Sequence, residues 1–129
     1  MTLESSEFDP AAIPFGDLLL DTRLLSGIRD LGWDATRPVQ SGVIPFAIAG
    51  HDVIACAETG TGKTAAFLVP ILQRFLTGTV AHEPHRPGTK ALVLAPTREL
   101  AAQILEEFNA LAVHSPLSGA DPVRLDGCR

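Results

Sequence analysis

The fold is decided by a stretch near the middle of the 129-residue chain, which reads Val53-Ile54-Ala55-Cys56-Ala57-Glu58-Thr59-Gly60-Thr61-Gly62-Lys63-Thr64. Its first five residues are apolar without polar alternation, a pattern typical of a strand buried on both faces of a parallel sheet. Two glycines then predict a loop, and after Lys63 large apolar residues recur at helical spacing through Leu76. Strand, loop and helix in this order predict a βα unit of an α/β fold.

The loop at residues 57–64 has the composition of a phosphate-binding P-loop, matching seven of eight motif positions with Ala57 where the general motif has glycine. Backbone amides and the helix dipole predict a concave anion site. In this motif Lys63 reaches the β- and γ-phosphates, and the Thr64 hydroxyl binds Mg²⁺. The predicted phosphate-binding residues are Thr59, Gly60, Thr61, Gly62, Lys63 and Thr64.

The flanking sequence predicts a helical region before this unit and a second βα unit after it. Residues 1–14 predict a flexible N-terminal arm, and residues 17–31 predict one or two short helices. A further helix is expected to be capped by Thr36 and to end near Gly50. Residues 90–95 predict a second buried strand, residues 96–113 a helix, and residues 114–129 an irregular tail.

Composition narrows the class of protein. Apolar residues make up 46% and charged residues 19% of the chain, which is typical of a globular domain, and no apolar run is long enough to span a membrane. The acidic N-terminus lacks the basic and apolar regions of a secretion signal, so a cytoplasmic protein is expected. Cys56 and Cys128 are too few for a disulfide framework, and Cys56 is expected to be buried.

The net charge of −5 comes from the start of the chain. Residues 1–34 hold seven acidic side chains against two arginines, whereas residues 35–129 hold eight acidic and eight basic side chains. The sequence has no basic stripe that would indicate nucleic-acid binding, so only particular side chains can indicate such a partner.

Three ordered segments carry a resemblance to a known family, namely Gly32-Trp33-Asp34-Ala35-Thr36-Arg37-Pro38-Val39-Gln40, residues 57–64, and Ala95-Pro96-Thr97-Arg98-Glu99-Leu100-Ala101. They resemble the Q motif (residues 15–40), motif I (57–64) and motif Ia (95–101) of DEAD-box RNA helicases. The resemblance covers about residues 15–113. It implies an incomplete RecA-like P-loop NTPase domain, with a parallel sheet, flanking helices and an N-terminal helical Q-motif region.

The resemblance also implies ligands and roles. ATP and Mg²⁺ are the implied cofactors, with Gln40 reading adenine through its amide and Trp33 stacking on the base. Phe15 matches the upstream aromatic residue of the Q motif. Many relatives have Pro-Thr where this chain has Thr36-Arg37. RNA is the implied partner, and its backbone is expected to contact the start of the last helix without sequence specificity, at Pro96, Thr97 and Arg98.

The sequence contains no Asp-Glu-Ala-Asp segment and no second RecA-like domain. We therefore expect neither a complete set of catalytic residues nor ATP hydrolysis by this chain alone. We interpret it as the N-terminal ATP-binding piece of a DEAD-box helicase. In such folds other strands separate residues 53–57 from residues 91–95, which leaves apolar surface unpaired. A non-hydrolysing adenine-nucleotide or RNA-binding module and a P-loop kinase remain alternatives, and the oligomeric state stays open.

Overall fold

Helices form most of the part of the chain that the structure describes. This computed structural model describes residues 11–77 and 90–117, together with the backbone of residues 2–4. The elements are, in chain order, β1 (Thr2–Glu4), a 3₁₀ turn (Phe15–Leu18), α1 (Thr22–Asp30), α2 (Pro38–Ile48), β2 (Ile54–Cys56), α3 (Lys63–Thr77) and α4 (Arg98–Leu111). The order confirms the predicted helical region, the strand, loop and helix that follow it, and the last helix.

The core lies between α3 and the helices around it. Leu68, Val69 and Leu72 are buried on one face of α3, as the helical spacing of its apolar residues predicts. Every other element of the helical part contributes to the same cluster, through Phe15, Leu24, Ile28, Ile44 and Leu111. This core fixes α3, and with it the loop that precedes α3.

The segment before the 3₁₀ turn is held against the segment before α2. The backbone N–H of Phe15 donates to the Asp34 carbonyl at 3.0 Å, and that of Thr36 donates to the Ile13 carbonyl at 2.9 Å. The Thr36 hydroxyl accepts from the Ile13 N–H at 2.9 Å and bonds to the Ser41 hydroxyl. The prediction that Thr36 caps α2 is therefore wrong, since Arg37 is the N-cap residue and Thr36 joins two segments.

The prediction of a flexible N-terminal arm needs a correction, because the arm begins with a strand in the structure. Residues 2–4 form β1, which pairs in parallel with β2, with Leu3 opposite Ala55. Ile13 and Pro14 are also paired, with Thr36 and Ala35. Residues 5–10 of the predicted arm lie outside the described residues. A short strand gives too little periodicity to be recognised, because its pairing partner is about 50 residues away in the sequence.

The prediction of a second buried strand at residues 90–95 is wrong for this structure. These residues form no strand, and the side chains of Leu92 and Leu94 are 77% and 84% exposed. The β2 strand itself is also less buried than predicted, since Ile54 is 65% exposed and Cys56 is exposed. An apolar run indicates burial only where other elements cover its faces, and β1 pairs with β2 along one edge without covering Ile54 or Cys56.

Two further expectations concern the chain beyond the core. The irregular tail begins with turns at residues 112–117, and residues 118–129 lie outside the described part. Among the described helices, none combines the length and apolar character needed to cross a membrane.

Asp21 starts α1 and ties it to its neighbours. Its carboxylate accepts from the Arg23 backbone N–H at 3.0 Å and from the Arg23 guanidinium at 2.9 Å, and its own N–H donates to the Gln73 side chain of α3 at 2.8 Å. The side-chain hydrogen bonds from Arg23 hold the pKa of Asp21 below its ordinary value of 3.8. The carboxylate is thus a charged helix cap.

The Asp21 cap predicts an acid-sensitive contribution to stability. A carboxyl group with a lower pKa in the folded chain stabilises fully above its unfolded pKa, and this contribution disappears as pH falls through the folded pKa. We expect Asp21→Asn to lower the free energy of unfolding at pH 7 and the difference from wild type to shrink below about pH 3.8. Urea unfolding at several pH values measures this, with the exposed Asp17→Asn as control. An undiminished difference at low pH would contradict it.

Close packing of α1 on the end of α4 depends on Gly27. A Cβ at this position would collide with the backbone carbonyl of Leu111, and would lie 3.2 Å from the Ala110 carbonyl oxygen. We expect Gly27→Ala to cost about 1 to 3 kcal/mol of unfolding free energy through overpacking. Gly16→Ala is the matched control, because nothing lies within 4 Å of its added Cβ. Equal stability of both variants in thermal unfolding would refute the α1–α4 packing.

Candidate functional site

The loop between β2 and α3 has the backbone shape of an anion-binding loop. It runs from Ala57 to Gly62, directly after β2 and directly before Lys63, the first residue of α3. Gly60 and Gly62 have φ angles of 81° and 87°, a left-handed conformation that favours glycine. The first amides of α3 have no partners within the helix, so the loop and helix together present N–H groups to a ligand.

Two side chains of the loop bond back to its own backbone. The Lys63 ammonium donates to the Ala57 carbonyl at 2.6 Å, and the Thr61 hydroxyl donates to the Glu58 carbonyl at 2.6 Å. Lys63 is exposed and reaches across the loop from α3 to the end of β2. Because an ammonium has three donors, Lys63 keeps donors for an anion at the same place.

The first turn of α2 is bonded to the glycines of this loop. Gln40 accepts from the Arg37 backbone N–H at 2.9 Å and donates to the Gly62 carbonyl at 3.2 Å. The Arg37 guanidinium donates to the Gly60 carbonyl at 2.5 Å. The structure thus joins the predicted adenine-reading residue to the predicted phosphate loop.

Gln40 is turned inward, with only 4% of its surface exposed. A carboxamide has two acceptor lone pairs and two donor hydrogens, and the bonds to Arg37 and Gly62 use one of each. One acceptor and one donor position therefore remain on the Gln40 amide.

The two predicted aromatic residues lie together within the Q-motif region at residues 15–40. The rings of Phe15 and Trp33 are stacked with centroids 6.4 Å apart and planes 30° apart. Phe15 is buried in the core, whereas Trp33 is half-buried and packs on the edge of the core. Of the two, Trp33 is the one with a ring surface left for a ligand, and its role in base stacking stays a prediction.

The remaining predicted nucleotide-binding and metal-binding residues lie in the loop and in the first turn of α3. Thr59 is exposed, and Thr64 is half-buried in the first turn of α3, one residue after Lys63. A hydroxyl at that position of a helix N-terminus fits the donor set of a phosphate-bound Mg²⁺, which prefers oxygen ligands. The assignment of Thr64 to the metal stays a prediction.

The predicted RNA-contacting residues lie at the start of a different helix. Pro96, Thr97 and Arg98 are exposed, and Thr97 is the N-cap of α4, accepting from the Leu100 N–H at 3.1 Å. Thr97 therefore caps its own helix, whereas Arg98 is exposed to solvent. On the same helix, Glu107 is half-buried, and this burial raises the pKa of its carboxyl group.

Arg37 is the site residue that the sequence did not single out as functional. Its only signal in the sequence was that Thr36-Arg37 departs from the Pro-Thr of the motif that this segment resembles. The contact with Gly60 joins residues 23 apart in the sequence, and no local pattern predicts such a bond.

A strand that leads through a glycine loop into a helix opening with lysine defines a P-loop protein of the α/β class. The profile of the DEAD/DEAH box helicase family matches residues 37–122, more than half of the chain. The chain belongs to that family.

Individual relatives agree with the family. The chain is 45% identical over 105 residues to the ATP-dependent RNA helicase DBP4 of Encephalitozoon cuniculi, covering 81% of this chain and 22% of the relative. It is 40% identical over 127 residues to the probable ATP-dependent RNA helicase ddx3 of Dictyostelium discoideum, covering 92% of this chain and 18% of the relative. The chain therefore spans about a fifth of the length of these curated relatives.

Solved structures show the same fold. The RNA helicase Prp28 of Chaetomium thermophilum, bound to ADP, superposes with a TM-score of 0.69 at 38% identity, over 81% of this chain and 25% of that one. A variant of S. cerevisiae dbp5, bound to gle1 and ip6, gives a TM-score of 0.68 at 31% identity, over 82% and 26% of the two chains. The incomplete RecA-like α/β fold implied by the sequence is confirmed.

Two glycines in the same backbone conformation allow a matched test of the loop. Gly50 has a φ of 94° with nothing within 4 Å of an added Cβ, whereas a Cβ at Gly62 would collide with the Gln40 amide. Gly50→Ala should cost about 1 kcal/mol from backbone strain alone. Gly62→Ala should cost about 2 to 3 kcal/mol, because the Gln40 bond is lost as well. Equal costs in urea unfolding would contradict the bond.

Proposed function

We propose that this chain binds ATP with Mg²⁺ in the loop at residues 57–64 and contacts RNA backbone at residues 96–98, as the nucleotide-binding part of an ATP-dependent RNA helicase. The main support is the unit formed by β2, the loop and α3. Its glycines have a left-handed backbone, α3 begins at Lys63, and the loop and α3 lie within the segment that matches the family. The names of the relatives support the helicase activity.

The phosphates of ATP are proposed to lie against the loop amides and the N-terminus of α3. The side chain of Lys63, which bonds to the Ala57 carbonyl at 2.6 Å, is close enough to the loop to move onto the β- and γ-phosphates. The Thr64 hydroxyl would hold Mg²⁺, which neutralises charge on the same phosphates. A solved relative with the same fold is bound to ADP, which supports the binding of an adenine nucleotide.

Adenine recognition is proposed for the Gln40 amide. The acceptor and donor positions that remain on Gln40 match the N6 amino group and the N7 acceptor of adenine. Guanine presents an acceptor at the place of the amino group, so the same amide would favour ATP over GTP. Trp33, half-buried beside Phe15, offers the base an aromatic surface.

RNA binding is proposed at the N-terminus of α4. The exposed Arg98 supplies a cation at the N-terminus of α4. The first backbone amides of α4 and the positive end of its helix dipole favour an anion at the same place. These groups bind phosphate and do not read bases, so binding is expected to be independent of RNA sequence.

Hydrolysis needs further acidic groups. Since the 129 residues contain no Asp-Glu-Ala-Asp segment, we expect this chain to bind ATP without hydrolysing it. A binding module without hydrolysis is thus compatible with the helicase family, whereas the family membership argues against a P-loop kinase.

ATP binding is tested with the two lysines of the chain. Lys63→Ala should weaken ATP binding in the presence of Mg²⁺ by at least about tenfold, because the loss of a charge-assisted bond to phosphate costs about 1.5 to 3 kcal/mol. Lys90→Ala is the matched control, as Lys90 is exposed and lies outside the loop. Calorimetric titration with ATP and with GTP measures both affinity and base preference. Failure of the wild-type chain to bind ATP would overturn the proposal.

RNA binding is tested with two exposed arginines. Arg98→Ala should weaken binding of single-stranded RNA equally for different sequences and lower the salt dependence by about one phosphate contact. Arg74→Ala, an exposed arginine near the end of α3, should leave both unchanged. Fluorescence anisotropy at several salt concentrations measures this, and equal effects of the two substitutions would argue against α4 as the RNA site.

A further inference from the structure

We propose that Arg37 is a positioning residue of the phosphate loop, which together with Gln40 sets the direction of the amides that receive the phosphates. This inference rests on the proposed function, because it assigns the new role within the same site. We call Arg37 and Gln40 the α2 clamp.

The α2 clamp holds two alternate carbonyl groups of the loop. The Arg37 guanidinium donates to the Gly60 carbonyl at 2.5 Å, and the Gln40 amide donates to the Gly62 carbonyl at 3.2 Å. The two residues are also bonded to each other, since Gln40 accepts from the Arg37 backbone N–H at 2.9 Å. The α2 clamp therefore bonds to both left-handed positions of the loop from the N-terminal end of α2.

Peptide geometry converts this hold into an orientation. In a planar trans peptide the C=O of one residue and the N–H of the next point in opposite directions. With the Gly60 and Gly62 carbonyls directed to α2, the N–H groups of Thr61 and Lys63 are directed away from α2. An amide already oriented for an anion does not need to reorganise on binding, which favours affinity.

The choice of arginine at this position supports a role beyond helix capping. Arg37 is the N-cap of α2, where serine, threonine, aspartate and asparagine are preferred because their short side chains bond to the first turn. The Arg37 side chain makes no capping bond and extends to the loop. A threonine side chain at this position is too short to reach the Gly60 carbonyl as Arg37 does. A broken local preference of this kind is typical of a functional site.

The experiment compares Arg37→Thr with Arg37→Lys in the full chain. Arg37→Thr restores a good N-cap and removes the bond to Gly60, whereas Arg37→Lys keeps a long cationic donor. We expect Arg37→Thr to weaken ATP binding with Mg²⁺ by about threefold to tenfold, the effect of one exposed charged hydrogen bond, and Arg37→Lys to stay closer to wild type. Arg29→Thr, an exposed arginine of α1, is the control.

Two further measurements separate positioning from a structural role. Amide NMR shifts of Thr61 and Lys63, recorded without nucleotide, should change in Arg37→Thr and not in Arg29→Thr. The melting temperature of Arg37→Thr should equal or exceed that of wild type, because threonine is the better cap. A lowered melting temperature without rescue by Arg37→Lys would overturn the inference, as would unchanged loop amides.

The same measurements distinguish this inference from the proposed function. If wild type binds ATP and Arg37→Thr binds it with equal affinity, the role of Arg37 is overturned and the proposed function stands. No ATP binding by wild type, combined with altered Thr61 and Lys63 amides in Arg37→Thr, would overturn the proposed function and support the α2 clamp.

Discussion

The site depends on a backbone that only glycine adopts readily at two places, between a strand and a helix. Gly60 and Gly62 turn the chain from β2 into α3, and the core beneath α3 fixes where that turn stands. The carbonyls of both glycines are bonded to α2, so the loop is held from its flank as well as from its two ends. The helical region before the loop is thereby part of the candidate site, and it brings residues far apart in the sequence into contact.

The helices of this chain and the position of β2 were predictable from the sequence, whereas the strand that pairs with β2 was not. Apolar residues at helical spacing predicted α3 and α4 to within a few residues, because a helix satisfies its own backbone locally. A strand needs a partner, and the partner of β2 proved to be residues 2–4, which no local pattern distinguishes from an arm. The run at residues 90–95 has the composition of a buried strand but lies exposed, since composition does not supply a neighbour.

The candidate site residues were predicted from residue types and spacing, whereas the bonds between them could not be predicted. The P-loop residues and Gln40 were recognisable because each belongs to a spaced motif. The bonds from Arg37 to Gly60 and from Gln40 to Gly62 span 23 and 22 residues, and they depend on how α2 packs on α3. The exposed Cys56 and the raised pKa of Glu107 depend in the same way on what surrounds each residue in the fold.

The most direct test of the proposed nucleotide site at residues 57–64 is an amide NMR titration of the chain with ATP and Mg²⁺. We expect the largest shift changes on the amides of residues 59–64, followed by the side-chain amide of Gln40. Saturating shifts confined to other surfaces, with residues 59–64 unaffected, would contradict the assignment of this loop as the nucleotide site.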